Sequence, residues 1–413
     1  MEQPQVVKLR NWAGNITFST DRLHAPTRLD ELQQLVAGSR RIRALGTGHS
    51  FNRIADTAGD LVTVRELAGE IVVAADTVSV PAGARYGEVA AVLQEAGFAL
   101  GNLGSLPHIS VAGACATGTH GSGVGNKCLA AGVRAVEFVR ADGELVSVAA
   151  GDPAFGGSVL ALGALGIVTR LELSIEKSFD VRQDVWLDAP LDTVAEQFDE
   201  IMAAGYSVSL FIDPVGPDMV AKIWVKTRGP EAVDGSRWGA RAATQAQHPT
   251  AGQDPSAVTE QFGVAGPWHE RLPHFRLGFT PSSGDEQQSE FLVPREHGAA
   301  ALLAFRRLDL TAALQVAEVR TIAADDLWLS PCQGRDTVGL HFTWFDDDEK
   351  VHAAVAAVEQ ALAPFDPRPH WGKVFLTDPV NHYPKMPEFR ALAGRHDPNR
   401  KFGNDFLDRY VYR

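Results

Sequence analysis

Apolar positions along the first third of the chain switch repeatedly between two periods. From Leu29 through Leu32, Leu35 and Val36 they recur three and four residues apart, as on a helix face, and Thr27-Arg-Leu-Asp30 just ahead has the form of a capping box. A second helical stretch runs from Tyr86 to Ala96 and is closed by Gly97. Around these, short β-branched runs predict strands at Val6–Asn11, Arg41–Leu45, Leu61–Val64, Glu70–Ala74 and Thr77–Val80. Further strands are predicted at Val133–Arg140, at Leu145–Ala149 across an Asp142-Gly143 hairpin turn, and at Ile167–Ile175.

Later strands alternate with a period of two but carry charge inside apolar surroundings. In Gln315–Ala323, Glu318 and Arg320 share one face. In Gly339–Phe345, His341 and Thr343 share a face opposite Leu340, Phe342 and Trp344. In Pro369–Phe375, Trp371, Lys373 and Phe375 alternate with His370 and Gly372. A solvated sheet face laced with ion pairs explains any one of these. Three such interruptions in otherwise apolar strands favour a buried polar pocket.

Composition changes the picture in one segment. Ala96 to Asn126 is a run of 31 residues without Asp, Glu, Lys or Arg, long enough to cross a bilayer. Its eight glycines, Pro107 and many Ser, Thr, Asn and His forbid that, because their polar groups would go unpaired in lipid. Such a run instead suits backbone wrapped closely around something polar. Of the 39 glycines, 23 fall before residue 171, so the composition shifts near Ser174–Ser178, where a domain boundary is expected. Thr227–Ser256 reads as a long loop. The balance of 38 basic against 51 acidic residues, net −13, argues against nucleic acid and anionic membrane as partners. Cys115, Cys128 and Cys332 are too few and too scattered for a disulfide framework or a metal knuckle, which points to the cell interior. Met1–Arg10 has no apolar core of the secretory type.

The turn Gly46-Thr47-Gly48-His49-Ser50-Phe51-Asn52 follows a predicted strand. Two glycines there let backbone N–H groups approach a pyrophosphate, and His49 projects from the same turn as a potential nucleophile. Taken alone, a tight turn with a solvated histidine is the better explanation. Gly101–Gly123 then adds hydroxyl and backbone donors with no cation, a surface that binds a diphosphate through neutral hydrogen bonds. Commoner nucleotide motifs are absent: there is no G-x-x-x-x-G-K-[ST], and neither Gly46-Thr-Gly48 nor Gly121-Ser-Gly123 completes G-x-G-x-x-G. His269-Glu270-Arg-Leu-Pro273-His274 has the wrong spacing for H-E-x-x-H, so no metal site is expected, and His269, His274, His297, His396 and the Asn15-Ile-Thr17 sequon read as structural.

Four of these segments, N-W-A-G-N at Asn11–Asn15, G-T-G-H-S-F-N, S-L-P-H-I-S-V-A-G at Ser105–Gly113 and A-T-G-T-H-G-S-G at Ala116–Gly123, resemble the FAD domain of vanillyl-alcohol-oxidase-type flavoproteins. A-E-V-R-T at Ala317–Thr321, H-F-T-W at His341–Trp344 and R-P-H-W-G-K-V-F at Arg368–Phe375 are similar to the substrate domain of the family's polyol-oxidising members. The resemblance runs from about Asn11 to about Phe406, and Asp397–Asn404 matches the closing segment that returns to the FAD domain.

The resemblance implies a two-domain α+β fold: an FAD-binding domain of two α/β subdomains over 1–175, rejoined by 376–413, and a cap over 176–375 with a large antiparallel sheet covered by helices. It implies FAD attached covalently through His49 to the flavin 8α-methyl carbon. Gly46, Thr47, Gly48, Ser50, Phe51, Asn52, Ser105, Ser110, Gly113, Thr117, Thr119, His120 and His370 would line the cofactor, with the backbone near Ile167 and Val168 at the adenine end. Ser105, Glu318, Arg320, Thr343 and Lys373 would bind a polyol. The implied activity is oxidation of the terminal primary alcohol of an alditol, xylitol or sorbitol for instance, to the aldose, with O2 taking the electrons and giving H2O2.

A chain of hydroxyls needs acceptors such as Glu318 and donors such as Arg320, Thr343, Lys373 and Ser105. Removing the hydroxyl proton needs a base, for which His341 and Lys373 are the candidates, and Arg320, Lys373 and His341 form the expected catalytic cluster. Two alternatives share the fold: a dehydrogenase using another electron acceptor, and a silent flavin- or polyol-binding protein. Gly104, where the family more often has Ala, leaves oxygen a path and favours the oxidase. The expected partners are a small polyol and O2, in a cytoplasmic monomer.

Overall fold

Strands and helices of the first 175 residues build two small sheets, and the next two hundred build one large one. The computed structural model describes residues 8–216, 218–279 and 284–413. A three-stranded parallel sheet runs Leu23–His24, Asp60–Val62, Ile42–Ala44. The helix Leu29–Gly38 lies against it, burying Leu32 and Val36 with Ile42, Val62, Val139, Ile167 and Phe402. Its start differs from the expected capping box. Arg28 is the N-cap, and it is Glu31, with a side chain long enough to reach back, that accepts from the backbone N–H of Thr27 (3.0 Å) and Arg28 (3.3 Å). Asp30 pairs with the Arg28 side chain instead.

A five-stranded antiparallel sheet follows, in the order Val72–Val73, Thr77–Pro81, Ile167–Ser174, Val133–Val139, Leu145–Ala149. The helix Tyr86–Glu95 ends before Gly97, whose φ of 77° no β-carbon residue adopts without strain. Val6–Asn11 lies partly outside the described residues, and of the rest only Arg10 pairs, in an isolated bridge with Thr17.

The large sheet has nine antiparallel strands. Its order is Arg241–Ala242, Asp180–Pro190, Met219–Arg228, Ser207–Ile212, Leu314–Ile322, Thr337–Phe345, Glu286–Pro294, Arg368–Pro369, with Gly266–Pro267 also pairing Asp180–Pro190. Leu340, Phe342 and Trp344 face the helices Gly298–Arg306 and Asp348–Leu362, where Phe305 meets Phe342 edge-on at 5.2 Å. The opposite face carries the charges. Register puts His341 beside Glu318 on one side and Glu290 on the other. Pro369–Phe375 is not the strand its alternation suggested: only Arg368–Pro369 pairs, and the chain then turns, Lys373 N–H donating to the His370 carbonyl. After the strand ending at Arg228, the 229–256 segment is mostly irregular, as expected.

The C-terminal helices Met386–His396 and Asp405–Tyr410 return to the first sheet. Between them, Asn404 Nδ2 donates to the carbonyls of Arg53, Ile54 and Asp56, and Lys401 Nζ to those of Val36, Ala37 and Ala141. Arg43, fully buried, donates to the carbonyls of Phe402, Gly163, Leu162 and Ile54. All three cysteines are free and buried. Among the described residues no helix is long and apolar enough to cross a membrane.

Candidate active site and flavin cradle

The Gly46–Asn52 turn is held from three sides. Trp12 N–H donates to the Gly48 carbonyl, and the Trp12 ring stacks on His49 with centroids 4.8 Å apart. Asn11 Nδ2 donates to the Ser50 carbonyl. Asn52 Nδ2 donates to the carbonyls of both Trp371 (2.8 Å) and Lys373 (2.7 Å), while Phe51 N–H donates to Gly372. The turn bearing His49 and the turn bearing Lys373 are therefore one rigid unit. A β-carbon at Gly46 would sit 2.7 Å from Ser110 Oγ, so glycine is what brings this backbone against the next segment. Burial lowers the pKa of His49 to about 4, leaving a neutral ring whose buried Nδ1 has no partner in the protein.

The uncharged run becomes the wall opposite. Ser110 stands at the N-cap position of the short helix Val111–Thr117 without a side-chain capping bond, and the helix ends at Gly118 in the left-handed region, φ 79°. Ser105 Oγ is buried and unpartnered. One continuous cavity of about 780 Å³ runs from the Gly46–Asn52 turn past Ser105, Ser110, Gly113, Thr117, Thr119, His120 and Val168. It ends at Glu318, Arg320, His341, Thr343, His370 and Lys373. Every candidate residue lines it except Ile167, whose side chain points into the core with Leu32 and Val36 while its strand neighbour Val168 faces the cavity. The neutral-donor expectation is incomplete: Arg43, Arg65 and Arg85 also line the cavity, although Arg43 is committed to carbonyls and Arg65 to Glu88. A β-carbon at Gly104 would meet Thr119 Cγ2 at 3.5 Å and the His120 carbonyl oxygen at 3.7 Å, ordinary contacts with two wall residues.

At the far end, two carboxylates and two cations interlock. Glu318 Oε2 accepts from Arg320 at 2.6 Å and Oε1 from His274 Nε2 at 2.8 Å. Glu290 Oε1 lies 3.0 Å from His120 Nε2, poorly aligned for a hydrogen bond, and Oε2 lies 3.2 Å from Lys373 Nζ. Burial acts to raise both carboxyl pKa values. Arg320 and then His274 outweigh it at Glu318, and Lys373 and then His120 at Glu290, so both stay ionised. Burial lowers the pKa of Lys373, with Glu290 opposing. His341 is held well below the ordinary histidine range by burial and by Lys373, and burial takes His370 down to about 3. These four charges balance and His341 and His370 are neutral, so the end of the cavity offers many donors and acceptors, with Glu286 a further carboxyl whose pKa burial raises.

The protonation of His341 follows from its neighbours. Gln288 Oε1 accepts from Lys373 Nζ at 2.9 Å, and Gln288 Nε2 donates to Glu286 at 2.7 Å, which fixes the amide orientation. His341 Nε2, 3.1 Å from the same Oε1, must therefore carry its hydrogen. Nδ1 keeps its lone pair, buried and without a partner.

Sequence reasoning missed Gln288 and Glu290 and dismissed His274. The first two had a signal: Glu286, Gln288 and Glu290 sit two apart in a segment that ends Phe291-Leu-Val293. His274 had none, because only the fold brings its loop under Glu318.

A family profile described as FAD binding domain matches residues 21–149, and one described as D-arabinono-1,4-lactone oxidase matches 285–410. The chain belongs to the vanillyl-alcohol-oxidase-type family of FAD-linked oxidoreductases. It is 51% identical to the alditol oxidase of Streptomyces sp. (strain IKD472 / FERM P-14339) over 96% of this chain and 97% of that one. It is 27% identical to the L-gulono-1,4-lactone dehydrogenase of Mycobacterium tuberculosis over 97% and 98%. The fold superposes on a solvent-stable cholesterol oxidase with a TM-score of 0.80 at 15% identity, covering 98% of this chain and 97% of the other. The cofactor is FAD. The chain fits it: the close approach of Gly46 to Ser110, the unpartnered Ser105 Oγ and the unpartnered His49 Nδ1 all open on the same cavity.

Proposed function

We propose that this protein oxidises the terminal primary alcohol of an alditol such as xylitol or sorbitol to the aldose, reducing O2 to H2O2. The observation that carries the proposal is the charge-balanced polar end of the cavity, where the lone pair of His341 Nδ1 lies among hydroxyl-binding groups and the His49 turn is bolted to Lys373 through Asn52. Its 51% identity to an alditol oxidase over nearly the whole length supports it further.

When bound, FAD supplies the two-electron acceptor for the hydrogen leaving the alcohol carbon and passes those electrons to O2. His341 takes the hydroxyl proton at Nδ1. Lys373 is the weaker candidate for that step, because its ammonium is engaged by Gln288 and Glu290. Arg320 and Lys373 instead stabilise negative charge as the proton departs. Glu318 accepts from a substrate hydroxyl, while Ser105 and Thr343 donate or accept along the carbon chain. His49, neutral and stacked on Trp12, is the point of covalent flavin attachment, and the backbone near Ile167 with Val168 meets the adenine end.

Residues 1–175 with 376–413 act as the flavin-binding unit and 176–375 as the substrate cap. Three free buried cysteines support a reducing compartment. The test is a polyol panel read by oxygen electrode and peroxide assay. Oxygen consumption matched by peroxide is expected with xylitol or sorbitol. Reduction of an artificial acceptor without oxygen consumption would make it a dehydrogenase, and no turnover with either would make it a binding protein.

A further inference from the structure

Lys226 is fully buried on the strand Met219–Arg228, beyond the cavity wall, and the chemistry above does not use it. Its ammonium has three acceptors around it: the carbonyls of Leu272 (2.6 Å) and Pro273 (3.0 Å), and His274 Nδ1 (3.3 Å). An ammonium only donates, so Nδ1 of His274 is an acceptor and the neutral ring carries its hydrogen on Nε2. That hydrogen points at Glu318 Oε1, 2.8 Å away. The ring cannot turn over, because it is wedged edge-on between Phe211 (centroids 5.5 Å) and Trp224 (5.2 Å). The backbone N–H of His274 donates to the carbonyl of Ser105, another cavity residue.

We propose that Lys226 and His274 are positioning residues that form an arm orienting Glu318 toward substrate hydroxyls, Lys226 selecting the His274 tautomer that can donate to Glu318. The inference rests on the reading of Glu318 as a polyol-binding acceptor. With Arg320 on Oε2 and His274 on Oε1, both carboxylate oxygens are fixed and their remaining lone pairs are directed.

The arm has a protonation state of its own. Burial lowers the pKa of Lys226 to about 7, with Glu318 opposing and Arg320 reinforcing the shift. The charged and titratable groups around it are Glu318 and Arg320 from Leu314–Ile322 and His274 from its loop, with His341 from Thr337–Phe345 acting on Glu318; its register partners Gln183 and Ser207 are uncharged. As a neutral amine, Lys226 could accept from Nδ1–H. His274 Nε2 would then turn a lone pair toward Glu318 and the bond would be lost.

The flavin-loaded enzyme tests this with Lys226→Met, Glu318→Gln and the double replacement Lys226→Met/His274→Gln, an amide that donates from the Nε2 position without needing a tautomer chosen for it. Lys226→Met is expected to raise the KM for xylitol about tenfold with kcat changed less than threefold. The wild-type KM should rise above neutral pH, and that dependence should vanish in Lys226→Met. The double variant should recover most of the wild-type KM. If Glu318→Gln raises KM and Lys226→Met leaves both KM and its pH profile unaltered, the arm is refuted while Glu318 keeps its role. If Glu318→Gln leaves KM unaltered, it is the reading of Glu318 that falls. Should Lys226→Met fail to fold, 15N-labelled histidine in the wild type gives the tautomer directly, and an Nδ1–H form of His274 at pH 6 overturns the proposal.

Discussion

His341 and Lys373 meet on a single atom, the amide oxygen of Gln288, which lies 3.1 Å from the imidazole Nε2 and 2.9 Å from the ammonium. The amide thus holds the imidazole and the ammonium at a fixed spacing and keeps the imidazole hydrogen on Nε2, leaving at Nδ1 the lone pair that the proposed reaction needs. Gln288→Leu removes the shared acceptor and lets His341 place its hydrogen on Nδ1. We expect kcat with xylitol to fall by about 10²-fold, the scale of a lost general base, while flavin content stays unchanged. Steady-state kinetics on flavin-normalised protein measures this, and an unaltered kcat would remove His341 from the proton step.

His49→Ala removes the proposed point of covalent attachment, yet the rest of the cradle remains. The variant should purify with less flavin, or none, and release all of it. Acid precipitation separates the cases: yellow colour stays in the wild-type pellet and passes to the supernatant, if present at all, in the variant. Flavin released from the wild type by acid would show that attachment is not covalent.

Asn52→Ala removes both hydrogen bonds that join the His49 turn to the carbonyls of Trp371 and Lys373. Buried carbonyls left without donors cost about 1–3 kcal/mol each. Melting should drop by several degrees, and kcat should fall more than KM rises because Lys373 loses its fixed place beside Gln288. Calorimetry and kinetics on the same preparation check the two effects, and a variant that melts early with full kcat would confine Asn52 to stability.

Acid should weaken the fold through buried histidines that stay neutral in the native state. His274 and His370 have folded pKa values of about 4 and about 3, lowered by burial, against about 6.5 in an unfolded chain. Below pH 6.5 the unfolded state takes up protons that the native state refuses, so stability declines as pH falls toward 4. The slope approaches about 1.4 kcal/mol per pH unit for each histidine. Glu318 and Glu290, held low in the folded state, extend the loss further down. Melting temperature followed from pH 7 to 4.5 should decrease steadily, and a flat profile would contradict neutral buried histidines.

How much of this was legible in the chain depended on whether a feature is local. The Gly46–Asn52 turn, the Tyr86 helix and the facing pairs Glu318/Arg320 and His341/Thr343 follow from local periodicity, and the fold adds only what stands across from them. Lys373 was found by alternation although no strand carries it: a turn after Pro369 also spaces residues by two, and a pattern of that kind cannot tell pleat from turn. Glu290 and Gln288 were not singled out because their strand is polar at its start, and only pairing with Thr337–Phe345 buries it. His274 reaches Glu318 from 44 residues away along the chain, a contact that no spacing rule encodes.

The ties from the C-terminal segment to Arg43, Arg53 and Asp56 carry a consequence in time. The strands that open the flavin cradle are synthesised well before the groups that complete its floor: Arg43 precedes the carbonyl at Phe402 by 359 residues, and the carbonyl at Arg53 precedes the donor at Asn404 by 351. The floor of the cradle therefore stays open until residues 402–404 have been added, and a chain stopped anywhere before residue 402 would emerge with its cradle unclosed.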